Sequence, residues 1–175
     1  MDAAVVYESS WGNTRAVAQA VAEGLRERLA VEVLDVAGAP PPDRLGVEVL
    51  VVGGPTHAFG MSRPGTREDA ERRGGQHVGT GIREWLASSA PLDLRAAAFD
   101  THVRHPDLPG HASRKAAKAL HRLGADLLTQ PESFWVEGAE GPLLPGELDR
   151  ARAWGAELAA LASSTSPDDP TKEEP

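Results

Sequence analysis

Ser9-Ser10-Trp11-Gly12-Asn13-Thr14 packs three hydroxyls, an amide and a glycine into six residues. The run follows a short apolar stretch, Ala3-Ala4-Val5-Val6-Tyr7, and precedes a helical pattern that begins at Thr14. Such residues between a strand and a helix can hold an anion. The first N–H groups of a helix are unpaired, its dipole adds partial positive charge, and hydroxyls add donors. No Lys or Arg lies within the six, so neutral donors would do the binding, which favours a compact phosphomonoester over a metal-bound triphosphate. The same residue types also make ordinary turns and N-caps. Gly12, which permits close backbone approach, and the surplus of hydroxyls favour a ligand. Neither G-x-x-x-x-G-K-[ST] nor G-x-G-x-x-G is present in the turn.

The elements that must position this turn alternate regularly. Apolar or alternating runs predict strands at 3–7, 31–36, 47–52 and 95–99, and a fifth at 125–129 and 133–136, interrupted by Pro131. Helical spacing joins Val17, Val21, Leu25 and Leu29, then Ile82, Trp85, Leu86 and Ser89. It also joins Ala116, Leu120 and Leu123, and finally Leu148, Ala151, Trp154, Leu158 and Leu161. Ten residues, Ala37 to Gly46, connect the second and third strands and leave room for one helical turn around Asp43-Arg44-Leu45. The expected fold is a three-layer α/β domain with a doubly wound, five-stranded parallel sheet in the order 2-1-3-4-5. That order puts a ligand at the switch point between the first and third strands. The loop after the third strand, Gly53-Gly54-Pro55-Thr56-His57-Ala58-Phe59-Gly60, must then face it. Its glycines, hydroxyl and two ring side chains suit the flank of a flat heteroaromatic.

Composition narrows the function classes. The chain has no cysteine, which excludes disulfides, thiolate metal sites, Fe–S clusters and thiol nucleophiles. A net charge of −8 argues against nucleic acid; it could steer a basic protein partner, although an acidic surface also simply serves solubility, which is the preferred reading. Met1-Asp2 runs straight into the first strand and no apolar stretch could span a bilayer, so the expected address is cytoplasmic, with no membrane partner. Residues 1–162 are expected to form the domain and 163–175 a disordered acidic tail.

With both switch-point loops in place, residues 3–161 resemble the flavodoxin family. That family's phosphate loop has the form [ST]-x-[ST]-G-x-T. Ser9, Gly12, Asn13 and Thr14 match it, whereas Trp11 stands where a hydroxyl is usual. The resemblance implies FMN as cofactor, with Ser9, Ser10, Asn13 and Thr14 on the phosphate, aided by N–H groups from Ser10 to Arg15. It implies His57, or Phe59 nearby, against the inner flavin face, with Pro55, Thr56, Ala58 and Gly60 completing that loop. The family's third loop follows the fourth strand and usually carries a Tyr on the outer face. Here Phe99-Asp100-Thr101-His102-Val103-Arg104-His105-Pro106 has none. Thr101 and His102 are its candidate contacts; His102 or His105 covers the ring, or the outer face stays open.

The implied function is electron transfer through the flavin, with a redox partner protein or a small quinone. An NAD(P)H–quinone reductase is a sub-case that an open outer face allows. The alternative is a flavodoxin-like interaction or regulatory domain that binds FMN weakly or not at all. A response-regulator receiver domain is excluded, because Val51-Val52-Gly53-Gly54 offers no phosphoacceptor Asp. Asp100, His102, His105, Asp107 and His111 could be read as a metal site, but their spacing fits no zinc pattern. The charged stretch 62–81 is expected to hold a short helix from Thr66 to Arg72. It reads as a solvated insertion in preference to a lid.

Overall fold

The N-terminal apolar run forms β1 (Asp2–Tyr7), buried on both faces from Ala3 onward, as a central parallel strand requires. In the computed structural model, which describes residues 2–106 and 109–164, β1 pairs in parallel with β2 (Ala30–Asp35) and β3 (Val49–His57). A two-residue β4 (Gly60–Met61) turns back antiparallel on the end of β3, and β5 (Arg95–Val103) pairs in parallel with β3. Both β6 (Asp126–Leu127) and β7 (Glu132–Val136) pair with β5. The sheet therefore has the expected order, with the fifth strand in two pieces around Pro131, which has no N–H for a ladder.

Helices cover both faces. On one face α1 (Asn13–Leu25) and α5 (Glu147–Ser164) pack over Val5, Val51, Ala97 and Phe99. On the other, α3 (Ile82–Ala87) and α4 (Ala112–Arg122) pack over Val6, Val52, Ala96 and Ala98. A further helix, α2 (Pro64–Arg72), begins three residues after β4. None of the described helices is long and apolar enough to cross a membrane. The short β2–β3 connection holds only a 3-10 turn (Pro42–Arg44), pinned where the Trp85 indole N–H donates to the Pro40 carbonyl at 2.8 Å.

Several local expectations change. The third and fourth strands run on to His57 and Val103, so much of both expected loops is strand. Gly53 is not a point of ligand approach, because a Cβ there would overlap the Phe99 ring. Phe99 uses that space to meet Phe134 and Trp154 edge-on at 5.9 and 6.1 Å between centroids. Gly54 likewise faces Ile82. Leu148 is 42% exposed, so the buried face of α5 is Ala151, Trp154, Leu158, Ala159 and Ala162. Leu29 is buried but lies beyond the end of α1. Helix α5 includes Ser163 and Ser164; the rest of the expected tail, 165–175, lies outside the described residues.

Helices α1 and α5 touch backbone to backbone. A Cβ on Gly155 would strike the Val21 carbonyl, and one on Gly24 the Arg152 carbonyl. Neither neighbour can swing aside as a side chain could. Gly155→Ala should therefore lower stability by about 1–3 kcal/mol, despite the better helix propensity of alanine. Urea unfolding monitored by circular dichroism measures this; unchanged or increased stability would mean that the helices are not in contact there.

Candidate functional site

The turn from β1 into α1 is shaped by Gly12, whose φ of 87° lies in the left-handed region that favours glycine. Ser9 Oγ accepts the Gly12 N–H at 3.0 Å. The N–H groups of Ser10, Trp11, Asn13, Thr14 and Arg15 donate to no acceptor among the described residues. Beside them the Ser10 hydroxyl, on a residue only 2% exposed, also has no partner. Thr14 Oγ1 lies 2.8 Å from Thr101 Oγ1. Asn13 Nδ2 donates to the Glu140 carbonyl at 3.0 Å.

The second wall is the end of β3 and its hairpin. Thr56 pairs with Met61 and His57 with Gly60, which leaves Ala58 and Phe59 as a two-residue turn. Both have positive φ, 38° and 75°, an unusual conformation for residues with a Cβ. Pro55, Thr56, His57 and Ala58 line the same cleft as Ser9, Ser10, Trp11, Asn13 and Thr14. Phe59 and Gly60 do not: Phe59 is 55% exposed, and Gly60 packs against the Lys115 stem.

The end of β5 and the residues beyond β7 form the third wall. Thr101 lines it with Val103, Val136 and Ala139. His102 does not, because it sits on the opposite face of the strand. It is buried there, stacked on His111 at 4.4 Å between centroids, with Nδ1 2.7 Å from the Val103 carbonyl. His105 is exposed and away from the cleft. No aromatic ring therefore stands among the described residues of this wall. Behind it, one carboxylate oxygen of Asp100 accepts the Thr56 hydroxyl at 3.0 Å and both the N–H and hydroxyl of Ser113 at 2.9 Å. The Thr56 hydroxyl in turn accepts the Ala112 N–H. Among the described residues no three His, Asp or Glu groups converge for a metal; Asp107 lies outside them.

Thr66, Asp69 and Arg73, at the α2 end of the cleft, escaped the sequence reading. Their segment alternates charges and so reads as surface, yet it is anchored in the interior. Arg67 is 4% exposed and donates to Ser62 Oγ, the Val78 carbonyl and Glu84. Next to it Glu8 is 1% exposed and accepts the Ile82 N–H at 2.9 Å. Burial pushes the Glu8 carboxyl above the ordinary carboxylate range, despite the Ser62 hydroxyl, the Ile82 N–H and the Arg67 charge, which act to lower it. The Gln76 N–H then donates to the Ser10 carbonyl at 2.8 Å, joining the segment to the turn from β1 into α1. The stretch 62–81 is thus a built wall rather than a solvated insertion.

Together these walls enclose a cleft of about 220 Å³ at the switch point between β1 and β3. Its lining combines residues with unpaired donors at the start of α1 and the apolar Pro55, Ala58, Val103, Val136 and Ala139. Fold and cleft define a flavodoxin-like domain. The flavodoxin family model matches residues 5–76. A flavodoxin from the domain Archaea is similar at 22% identity and a TM-score of 0.68, over 93% of this chain and 99% of that one. Oxidised Flavodoxin 1 from Bacillus cereus follows at 19% and 0.67, over 91% and 98%. The flavodoxin of Streptococcus pneumonia TIGR4 stands at 21% and 0.67, over 91% and 99%. At these identities the likeness is one of fold. No curated protein matches the chain in sequence. The family model thus covers less than half of the chain, and the solved structures show that it shares their fold.

His57 is the titratable ring in the cleft. Burial, then the Arg73 and Arg67 guanidiniums, hold its imidazole below the ordinary value of 6.5. As pH falls through 6.5 the unfolded chain takes up a proton that folded His57 resists, so stability is lost toward acid until the folded group titrates. An NMR titration should place the His57 midpoint below 6.5, and His57→Gln should flatten that part of the stability–pH curve. A midpoint at or above 6.5 would contradict the assignment.

Proposed function

We propose that this protein binds FMN in the cleft and transfers electrons through it. The observation that carries the reading is the start of α1, where Ser10, Trp11, Asn13 and Thr14, all with unpaired N–H groups, line one cleft together with the orphaned Ser10 hydroxyl. A buried hydroxyl without a partner costs about 1–3 kcal/mol, which an anionic ligand there would offset. The donor set fits a phosphomonoester, since it is neutral, convergent and placed at the positive end of a helix. The sides fit a flat ring system, with aliphatic groups flanking His57. Bound FMN would supply one- and two-electron chemistry; the protein's part is to anchor, orient and desolvate it.

In this reading Ser9 shapes the turn through Gly12, the Ser10 hydroxyl and the unpaired N–H groups of Ser10, Trp11, Asn13 and Thr14 hold the phosphate, and Asn13 braces the third wall through Glu140. Asp100 orients Thr56 beside the ring. His57, kept uncharged at neutral pH, flanks the inner face. The small residues Val103, Val136 and Ala139 support the sub-case in which a quinone or nicotinamide reaches the outer face. A basic redox protein suits the net charge of −8.

Protein reconstituted with FMN and desalted should remain yellow and quench flavin fluorescence. Ser10→Ala should weaken FMN about tenfold or more, the worth of a hydrogen bond to a charged group, and leave riboflavin nearly unchanged. Colourless protein with no saturable quenching at micromolar FMN would rule the function out in favour of an interaction domain.

A further inference from the structure

Among the described residues that line the cleft, Arg73 is the sole guanidinium. It caps the C-terminus of α2, and its carbon lies 5.9 Å from the centroid of the Trp11 ring. That is within the range of a cation–π contact. The guanidinium makes no hydrogen bond to any described residue; its ion pair with Asp69 is long, at 3.6 Å. Asp69 also faces Arg72 at 3.4 Å, so its charge is shared between two cations. Arg73 is 48% exposed and so retains water, yet its backbone is not free to drift. Buried Arg67 fixes α2 six residues earlier, and Gly75 and Gln76 pack on the Ser10 carbonyl immediately after it. A full set of unspent N–H donors is thereby held at the edge of the anion turn, against the one residue of that turn with a large ring.

We propose that Arg73, steadied by Trp11, is the charged half of the phosphate site and makes the cleft select a phosphorylated flavin over its dephosphorylated form. The proposal rests on the FMN reading above. Neutral donors at the start of α1 meet the phosphate from one side, and the guanidinium meets it from the other. Arg suits this position because its planar fork can stack on Trp11 and still present donors along its edge. Trp11 thus gives up a hydroxyl at the turn and supplies a platform for a cation. Selectivity follows from charge: the monoester is a dianion at neutral pH, whereas riboflavin offers the guanidinium no charge.

The test is equilibrium binding of FMN and riboflavin, read by fluorescence quenching, to wild type, Arg73→Gln, Arg73→Lys and Trp11→Leu. Each is measured at about 20 mM and about 500 mM NaCl, where charge interactions are weakly and strongly screened. Arg73→Gln should weaken FMN about tenfold or more at low salt, keep riboflavin within about twofold, and flatten the salt dependence of FMN. Arg73→Lys should fall between, and Trp11→Leu should shift FMN in the same direction with riboflavin spared. Circular dichroism confirms that each variant is folded. If wild type binds FMN but Arg73→Gln binds it equally well, or loses both flavins alike, the proposal is overturned and the FMN reading stands. If wild type binds neither flavin, both fall.

Discussion

Side chains alternate between the two faces along β1, β3 and β5, and the alternation continues beyond the point where each apolar run stops. On β5, Ala97 and Phe99 face α1 and α5, while Ala96 and Ala98 face the opposite helices. Two residues further on, the same parity sends Thr101 to Thr14 of α1, and Asp100 and His102 to the start of α4. On β3 it turns Gly53 toward Phe99 and Gly54 toward Ile82. After β1 it turns Glu8 toward the first N–H of α3. The cleft is what the strand ends present on one face, and the buried polar clusters are what they present on the other.

That division explains how a nine-residue α2 can serve as a wall. A helix so short does not persist by itself in water and must be held by tertiary contacts. Its buried tie is Arg67, satisfied by Ser62, Val78 and Glu84, with Glu8 close by. Removing one charge from such a group would strand the other, which makes the pairing obligatory once built. The unsatisfied second oxygen of Glu8 agrees with the upward push on its carboxyl, since desolvation outweighs the partners it has. This cluster sits immediately before Ser9, so the residues that dock the wall also fix where the turn from β1 into α1 begins.

The sheet order was legible because five apolar runs and their helical partners carry the strongest periodic signal a sequence has. The turn from β1 into α1 was legible because an apolar run gives way to glycine and hydroxyls just before a helical pattern begins. Strand ends were not legible. Past Val52 and Phe99 the residues become glycine, proline, threonine, aspartate and histidine, which individually favour loops. Ladder pairing to β5 and β7 overrode those preferences. His102 was misplaced for that reason: as a loop residue it could have turned to the ligand, but as a strand residue its face was already fixed. The α2 wall was missed because alternating charges signal solvent, and only tertiary contacts distinguish buried Arg67 from exposed Arg72.

Charge is also segregated along the cleft. The cationic end lies where Arg73 meets Trp11 and the unpaired N–H groups begin. The rest of the lining is largely uncharged: Pro55, Ala58, Val103, Val136 and Ala139, with Asp69 paired to Arg73 and a His57 that burial and the nearby Arg73 and Arg67 charges disfavour as a cation. The carboxyl among the lining residues is that of Asp69, held between Arg72 and Arg73, while Asp100 is occupied with Thr56 and Ser113. A ligand with an anionic head and a neutral, flat body suits this lining with its head at the unpaired donors and Arg73, because an anion set among the aliphatic groups would cost several kcal/mol. Orientation therefore follows from the placement of charge, before any contact to the ring is counted.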